Sequence, residues 1–222
     1  MDLSMYDCVL HVAGIAHLSK NISQREKYYA VNTKLTVDLA NKAKQDGVKQ
    51  YIFLSSIIVY GESSPIGVEK IITKDTEPKP DDFYGDSKLQ AEIKLKKIDC
   101  EKFKIMIIRS PMVYGEGSKG NYHKLLKLAR YTFIFPNITN NRSVISIDNL
   151  LRSIHEIIIT EKQGLLLPQD DEQFCTSQFI KKHRYSLGKR TYLTKVFNPI
   201  LKILAYKVGV INKVFGNSTY EK

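Results

Sequence analysis

The stretch "YGDSK", residues 84 to 88, sets a phenol and an ammonium four positions apart, which on a helix is one turn along one face. A phenol with a pKa near 10 is a poor base at neutral pH, but an adjacent ammonium favours the phenolate and lowers that value. The pair Tyr84 and Lys88 is then a workable proton acceptor. Ser56 closes the apolar run "KQYIFLSS", and its hydroxyl could hold a substrate alcohol against the phenol. Tyr-x-x-x-Lys by itself also arises in lysine-rich helices where the ring simply packs on the lysine stem, so the surrounding elements decide.

Those elements alternate. "DCVLHVAG" is a short apolar run closed by Gly14, and "KFKIMIIRS" is another ending at Arg109; with "KQYIFLSS" they have the length and composition of buried strands. Between the first two, Tyr28, Val31, Leu35, Leu39 and Ala43 recur at helical spacing from about Gln24 to Asp46, stopped by Asp46-Gly47. A Pro- and Ser-containing loop then leads to the helix that carries Tyr84 and Lys88. Strand, helix, strand, helix, strand predicts an α/β fold with a parallel sheet covered on both faces. In such sheets ligands gather at the carboxyl ends of the strands, so Gly14, Ser56 and Arg109 are expected to share one rim. Beyond Tyr114 the pattern loosens: "NYHKLLKLARY", "IDNLLRSIHEIII", Thr176–Leu187 and Thr191–Val214 read as helical, and "GLLLP" as a strand.

The composition bounds the function classes. The 222 residues are 43% hydrophobic and 26% charged, enough for a real core. The formal charge of +11 favours anionic partners, yet the basic residues are scattered, concentrate only mildly after Lys181, and lack interleaved aromatics, so nucleic acid is not expected. Cys8, Cys100 and Cys175 are odd in number and far apart, which argues against a disulfide framework or a zinc site and fits a reducing cytoplasm. His11 and His17 have no nearby carboxylates, so packing is favoured over metal binding, and no metal is expected. His155 reads as a helix-surface residue. Tyr60 and Tyr114 each precede a rim glycine, where lining a substrate and packing weigh equally. The opening residues "MDLSMYDCVL" lack a basic stretch followed by a long apolar run, so a signal peptide is not expected. The late segment "FNPILKILAYKVGVINKVF" is interrupted by Lys202, Lys207 and Lys213; it does not span a membrane, although it could lie along one or along another subunit.

Six landmarks in order give the chain a resemblance to the NAD-dependent epimerase/dehydratase family, the extended short-chain dehydrogenases/reductases that act on nucleotide sugars. "VLHVAGIAH" resembles the strand whose backbone passes the cofactor, and "VNTKLTVDLANKAKQDGVKQYIFLSS" the family's helix with a structural Asn, here Asn32, followed by the next strand. "SSIIVYGE" aligns Ser56 with the catalytic hydroxyl, "YGDSKLQAE" matches the catalytic helix, "IIRSPMVYGEGSKGN" the following strand and loop, and "NRSVISIDNL" a substrate-phosphate Arg before a helix.

The resemblance implies a partial doubly wound, Rossmann-like sheet lacking its first strands. Residues 1–115 would form the NAD-binding part with the Tyr-Lys helix, and 116–222 a mostly helical substrate lobe mixed with returning elements of the first. It implies hydride transfer between nicotinamide and a sugar carbon, commonly C4 of a UDP-sugar, in surface polysaccharide synthesis. Tyr84 would be the base, Lys88 would bind the nicotinamide ribose and tune Tyr84, and Ser56 would orient the hydroxyl. Ala13, Gly14, Asn32, Ser55 and Pro111 would lie along NAD or NADP, and Asn121 and Arg142 would touch the substrate's diphosphate, where a guanidinium suits a phosphate. Dehydratases of this group carry Asp-Glu directly after the catalytic hydroxyl residue; Ile57 and Ile58 stand there and cannot move protons, so dehydration is disfavoured and 4-epimerase and 4-reductase remain open. The rival reading is a non-catalytic basic binding protein that retains part of the fold.

One string fits the dinucleotide pattern Gly-x-Gly-x-x-Gly, at Gly115, Gly117 and Gly120. It follows the Tyr-Lys helix instead of preceding it, and no acidic residue closes a second strand some twenty positions on, so a substrate loop is the better reading. The expectation is therefore an N-terminally truncated member, binding NAD poorly and marginally folded alone, with either a homodimer partner or a complementing N-terminal polypeptide.

Overall fold

The computed structural model describes residues 1–16, 22–118 and 120–222. In chain order, β1 (Cys8–His11) leads to α1 (Arg25–Tyr28), a π-helical segment Tyr29–Leu35 and α2 (Thr36–Gln45). β2 (Gln50–Ser56) ends in the 3-10 turn Ile57–Tyr60, and β3 (Ile71–Ile72) interrupts the loop before α3 (Phe83–Lys96). Then come β4 (Lys104–Ser110), β5 (Met112–Tyr114), α4 (Asn121–Tyr131), β6 (Ile134–Pro136), β7 (Val144–Ser146), α5 (Ile147–Ile159) and β8 (Gly164–Leu166). The chain closes with α6 (Thr176–Ser186), β9 (Tyr192–Thr194), α7 (Asn198–Ala205), α8 (Gly209–Phe215) and β10 (Thr219–Tyr220).

These elements fall into two units interleaved in sequence: one from 1–61, 77–111 and 148–168, the other from 62–76, 112–147 and 169–222. The first holds a four-stranded sheet in the order β1-β2-β4-β8, every pair parallel. β2 and β4 run in register along their whole length, from Gln50 opposite Lys104 to Ser56 opposite Ser110. Parallel neighbours need a crossover between them, and the helical stretch through α2 and then α3 supply the two that the alternating pattern predicts. Tyr51, Phe53, Ile105 and Ile107 point to one face, packed with Ala40 and Ala43 of α2 and Ala91 and Leu95 of α3. Ile52, Met106 and Ile108 point to the other and are buried as well, which is why these strands read as unbroken apolar runs and not as alternating ones.

The second unit is built on short two-stranded pairings, β5 with β7, β6 with β9 and β10 with β3. Its core gathers Phe135, Ile138, Ile180, Ala205 and Phe215. Here the helical expectation over Thr191–Val214 needs correction. Tyr192–Thr194, with an aromatic residue and a β-branched one, pairs with β6 as a strand, a use of such residues that helical spacing alone does not reveal. Pro199 stands in the first turn of α7, where its missing N–H does no harm, and a break at residues 206–208 separates α7 from α8.

Candidate active site

Ser56, Tyr84 and Lys88 all lie in the first unit. Ser56 is the last residue of β2 and caps the turn behind it, its Oγ accepting from the Ile58 N–H at 3.3 Å. Asp82 caps α3 by accepting from the Gly85 N–H at 2.8 Å, so the helix starts one residue before Tyr84. Gly85 makes the approach of that helix to the turn feasible: a Cβ there would sit 2.8 Å from the Ile58 carbonyl oxygen and 2.9 Å from Pro80 Cβ. With helix and turn this close, the Ser56 side chain lies near enough to the Tyr84 phenol to lower its pKa as a hydrogen-bonding neighbour.

Lys88 follows one turn later and is 4% exposed. Its ammonium donates to the Leu54 carbonyl at 3.0 Å and lies 4.6 Å from the centre of the Phe53 ring. It also borders Gly14, where a Cβ would come 3.1 Å from Lys88 Nζ and 3.1 Å from Asn32 Oδ1. Asn32, fully buried in the π-helical segment, clamps Ile15 through both its N–H and its carbonyl, and donates to Ser87 Oγ at 3.0 Å. Thr33 reinforces the clamp by donating to the Ser87 carbonyl at 2.7 Å. Asn32 thus ties the end of β1 to the helix that carries Tyr84 and Lys88.

The electrostatics of Tyr84 and Lys88 are set first by burial. Tyr84 is half-buried as a side chain, with protein packed densely about its hydroxyl, and this burial raises its pKa, while the Ser56 hydrogen bond pulls the other way. Burial lowers Lys88 itself from 10.5 to about 8, with the nearby Glu92 opposing. The same ammonium, after burial, helps hold His11 at about 4. His11 packs beside Tyr51 and meets Thr36 Oγ1 at 3.0 Å; His17 lies outside the described residues.

Behind the pair lies a network that sequence reasoning missed. Glu92, one further turn along α3, is 1% exposed and takes both a bidentate hydrogen-bond pair from Arg109 and the Ser55 hydroxyl. Arg109, 3% exposed, reaches on to the Tyr60 hydroxyl and stacks over its ring at 4.8 Å. Ser55 and Ser56, adjacent on a strand, therefore point to opposite faces, the first inward to Glu92 and the second to Tyr84. Tyr60 is buried in this network. The available signal was a Glu and an Arg inside otherwise apolar elements, which burial permits only when they are paired.

Pro111 is buried just past β4, its carbonyl accepting from Ser110 Oγ at 3.2 Å. Val12, Ala13 and Gly14 leave the end of β1 exposed. Asn121 and Arg142 belong to the second unit. Asn121 is exposed at the first turn of α4, after the glycines at 115, 117 and 120, all of positive φ. Arg142 donates to the Lys213 carbonyl at 2.6 Å; no carboxylate among the described residues pairs with it, and burial lowers its pKa. Tyr114 donates to Asp170 at 2.6 Å. His155 is exposed. Among the described residues no three His, Cys, Asp or Glu side chains gather as metal ligands.

Comparison with known proteins places the chain in a family. The profile of the NAD dependent epimerase/dehydratase family matches residues 1–161. A UDP-glucose 4-epimerase of Vibrio cholerae is 35% identical over 218 residues, which is 95% of this chain and 64% of the relative. An N-acetyl-alpha-D-glucosaminyl-diphospho-ditrans,octacis-undecaprenol 4-epimerase of Escherichia coli O157:H7 is 27% identical across 96% of this chain and 65% of the relative. The chain thus spans somewhat under two thirds of the length of both. Among solved structures, UDP-glucuronic acid 4-epimerase from Bacillus cereus superposes with a TM-score of 0.72 at 22% identity, over 87% of this chain and 64% of that one, a likeness of fold. On the match across residues 1–161 and the 35% identity along nearly its whole length, the chain belongs to the NAD-dependent epimerase/dehydratase family.

Proposed function

We propose that the first unit carries the proton-transfer site of a nucleotide-sugar 4-epimerase or 4-reductase acting on a UDP-sugar with NAD, in the synthesis of a surface polysaccharide. The observation that carries this reading is the Ser56 hydroxyl at the carboxyl end of β2 set beside the Tyr84 phenol at the start of α3, with the Lys88 ammonium one turn behind. A sugar alcohol placed against both hydroxyls is oriented by Ser56 and gives its proton to Tyr84 when the phenol is ionised. In the opposite direction the protonated phenol, which burial favours here, hands a proton to the oxygen of a keto sugar.

The donor set fits a dinucleotide. The backbone at Ala13 and Gly14 is exposed, and at Gly14 any larger residue would crowd Lys88 and Asn32. Lys88 offers a buried ammonium to a ribose hydroxyl, and Pro111 closes the same strand ends. When bound, NAD supplies a two-electron acceptor and donor for the sugar carbon; the chain supplies position and the proton site. In the second unit, Arg142, which no carboxylate among the described residues pairs with, and Asn121 suit a diphosphate.

Two relatives that cover nearly the whole chain carry 4-epimerase names, and Ile57 and Ile58 leave no second acid and base for dehydration, which favours chemistry confined to C4. The test is calorimetric titration of the folded chain with NAD and with UDP, followed by incubation with both and UDP-glucose. An epimerase forms UDP-galactose; a reductase consumes the reduced nucleotide with a 4-keto sugar. Binding of neither nucleotide by a folded chain leaves the rival, a non-catalytic basic binding protein.

A further inference from the structure

The second unit presents an apolar face that its own core does not use. On α7, Leu201 and Ala205 turn inward to pack with Ile180, Phe215 and Phe135. At 100° per residue a second stripe, about 120° around the axis from that face, is centred on Ile200 and flanked by Ile203 and Leu204, with Val196 and Phe197 just before the helix. All five are exposed, from 38% for Leu204 to 76% for Val196. Tyr206 and Val210, just beyond, are 72% and 61% exposed. An amphipathic helix in a globular protein normally turns such a stripe to the core; here a second apolar stripe faces outward, and contiguous exposed apolar surface marks a docking site.

Its charge setting says what docks. From Gln173 to Tyr220 the sequence holds nine Lys and Arg and no Asp or Glu. Lys195, Lys202 and Lys207 are exposed around the stripe. Lys213 faces Glu62 at 3.1 Å, but no described carboxylate pairs with the other three. Just upstream, Lys181, Lys182, Lys189 and Arg190 line an open groove with Tyr185 and Tyr192, and β9 leads from it directly into α7. A bare apolar patch would suit many partners. An apolar stripe bordered by cations without counter-charges is complementary to one kind of surface, acyl chains beneath anionic headgroups. No helix among the described residues is long and apolar enough to cross a bilayer, so an interfacial contact is the one considered.

We propose that the Val196–Val210 segment docks the second unit on an anionic phospholipid bilayer, Phe197, Ile200 and Ile203 entering the headgroup boundary and Lys195, Lys202 and Lys207 pairing with lipid phosphates. This inference stands on the second unit alone and does not depend on the chemistry assigned to Ser56, Tyr84 and Lys88.

The test is flotation of the full chain with vesicles of phosphatidylcholine alone or mixed roughly 2:1 with phosphatidylglycerol. The chain is expected to partition at least about tenfold more strongly onto the anionic vesicles, and to lose binding as salt rises. Lys195→Gln, Lys202→Gln and Lys207→Gln together should lower the partition by on the order of 100-fold, about fivefold per lysine. The triple change of Phe197, Ile200 and Ile203 to Ser should lower it at least about tenfold. Circular dichroism checks that the variants fold, and the lysine triple, whose side chains are wholly outside the core, carries the test if the apolar triple does not. Absence of flotation with either vesicle, equal flotation with both, or indifference to the lysine changes overturns the proposal. Sedimentation is the companion measurement: a wild-type dimer that the apolar triple dissociates, without vesicle binding, assigns the face to a second copy.

Discussion

The two units hold the same number of cations and use them differently. The first has 17 Lys and Arg against 15 Asp and Glu, the second 17 against 8. In the first unit charges are drawn inside and matched: Glu92 and Arg109 are paired at 1% and 3% exposure, and Lys88 is buried between a carbonyl and an aromatic ring. In the second, the surplus cations stay at the surface beside uncovered apolar side chains. Interior charge is kept where geometry must be held to fractions of an ångström; surface charge of one sign serves a partner or a field. On the two proposals made above, the contrast separates a unit that positions a proton from a unit that meets something anionic.

That contrast can be tested by removing one charge from each side. Glu92→Ala leaves Arg109 buried without its carboxylate and Ser55 without its acceptor, and should destabilise the chain by about 3–5 kcal/mol in urea unfolding. A loss below about 1 kcal/mol would mean that the pair does not anchor α3 to β4. A smaller effect comes from His11, which is neutral in the fold with a pKa near 4 against 6.5 when free. The unfolded chain binds the extra proton between those values, so stability present above pH 6.5 is lost as pH falls to 4, by about 3 kcal/mol. His11→Asn should flatten that limb of the pH profile, and an unchanged profile would move the acid sensitivity elsewhere.

Lys88 gives the opposite sign. Its folded pKa of about 8 lies below 10.5, so the charged form is penalised at neutral pH and stability rises as pH climbs from 8 to 10.5. Lys88→Met should therefore stabilise the fold at pH 7, by about 1–3 kcal/mol, while abolishing activity; destabilisation would show that the hydrogen bond to Leu54 outweighs the cost of burial. The smallest change belongs to the second unit. Lys213, 41% exposed in its ion pair with Glu62, should tolerate Ala within about 0.5 kcal/mol, and a larger loss in urea unfolding would erase the distinction between the two units.

The sheet of the first unit was legible because its long strands are continuous apolar runs separated by helical spacing, with Ser56 at the end of β2 and Tyr84 at the start of α3. What escaped was whatever depends on side-chain aim across elements. The ammonium of Lys88 donates to the Leu54 carbonyl and borders Gly14, and Ser55 points inward to Glu92. Neither follows from i, i+4 spacing. The second unit was less legible because its strands are two or three residues long, too short for a period to register: β9 hides inside a basic, turn-rich stretch that helical spacing also fits. The exposed stripe of α7 escaped for a related reason, since one apolar face of a helix looks the same in sequence whether it turns in or out.

The central claim is that Tyr84, held against Ser56, is the proton site. The direct measurement is the rate of UDP-sugar conversion by Tyr84→Phe, with calorimetric affinity for UDP and NAD measured on the same preparation. The account predicts a rate lower by at least about 10³-fold with both affinities within about twofold of wild type. A rate near wild type would contradict it, because no phenol would then be needed at the end of β2.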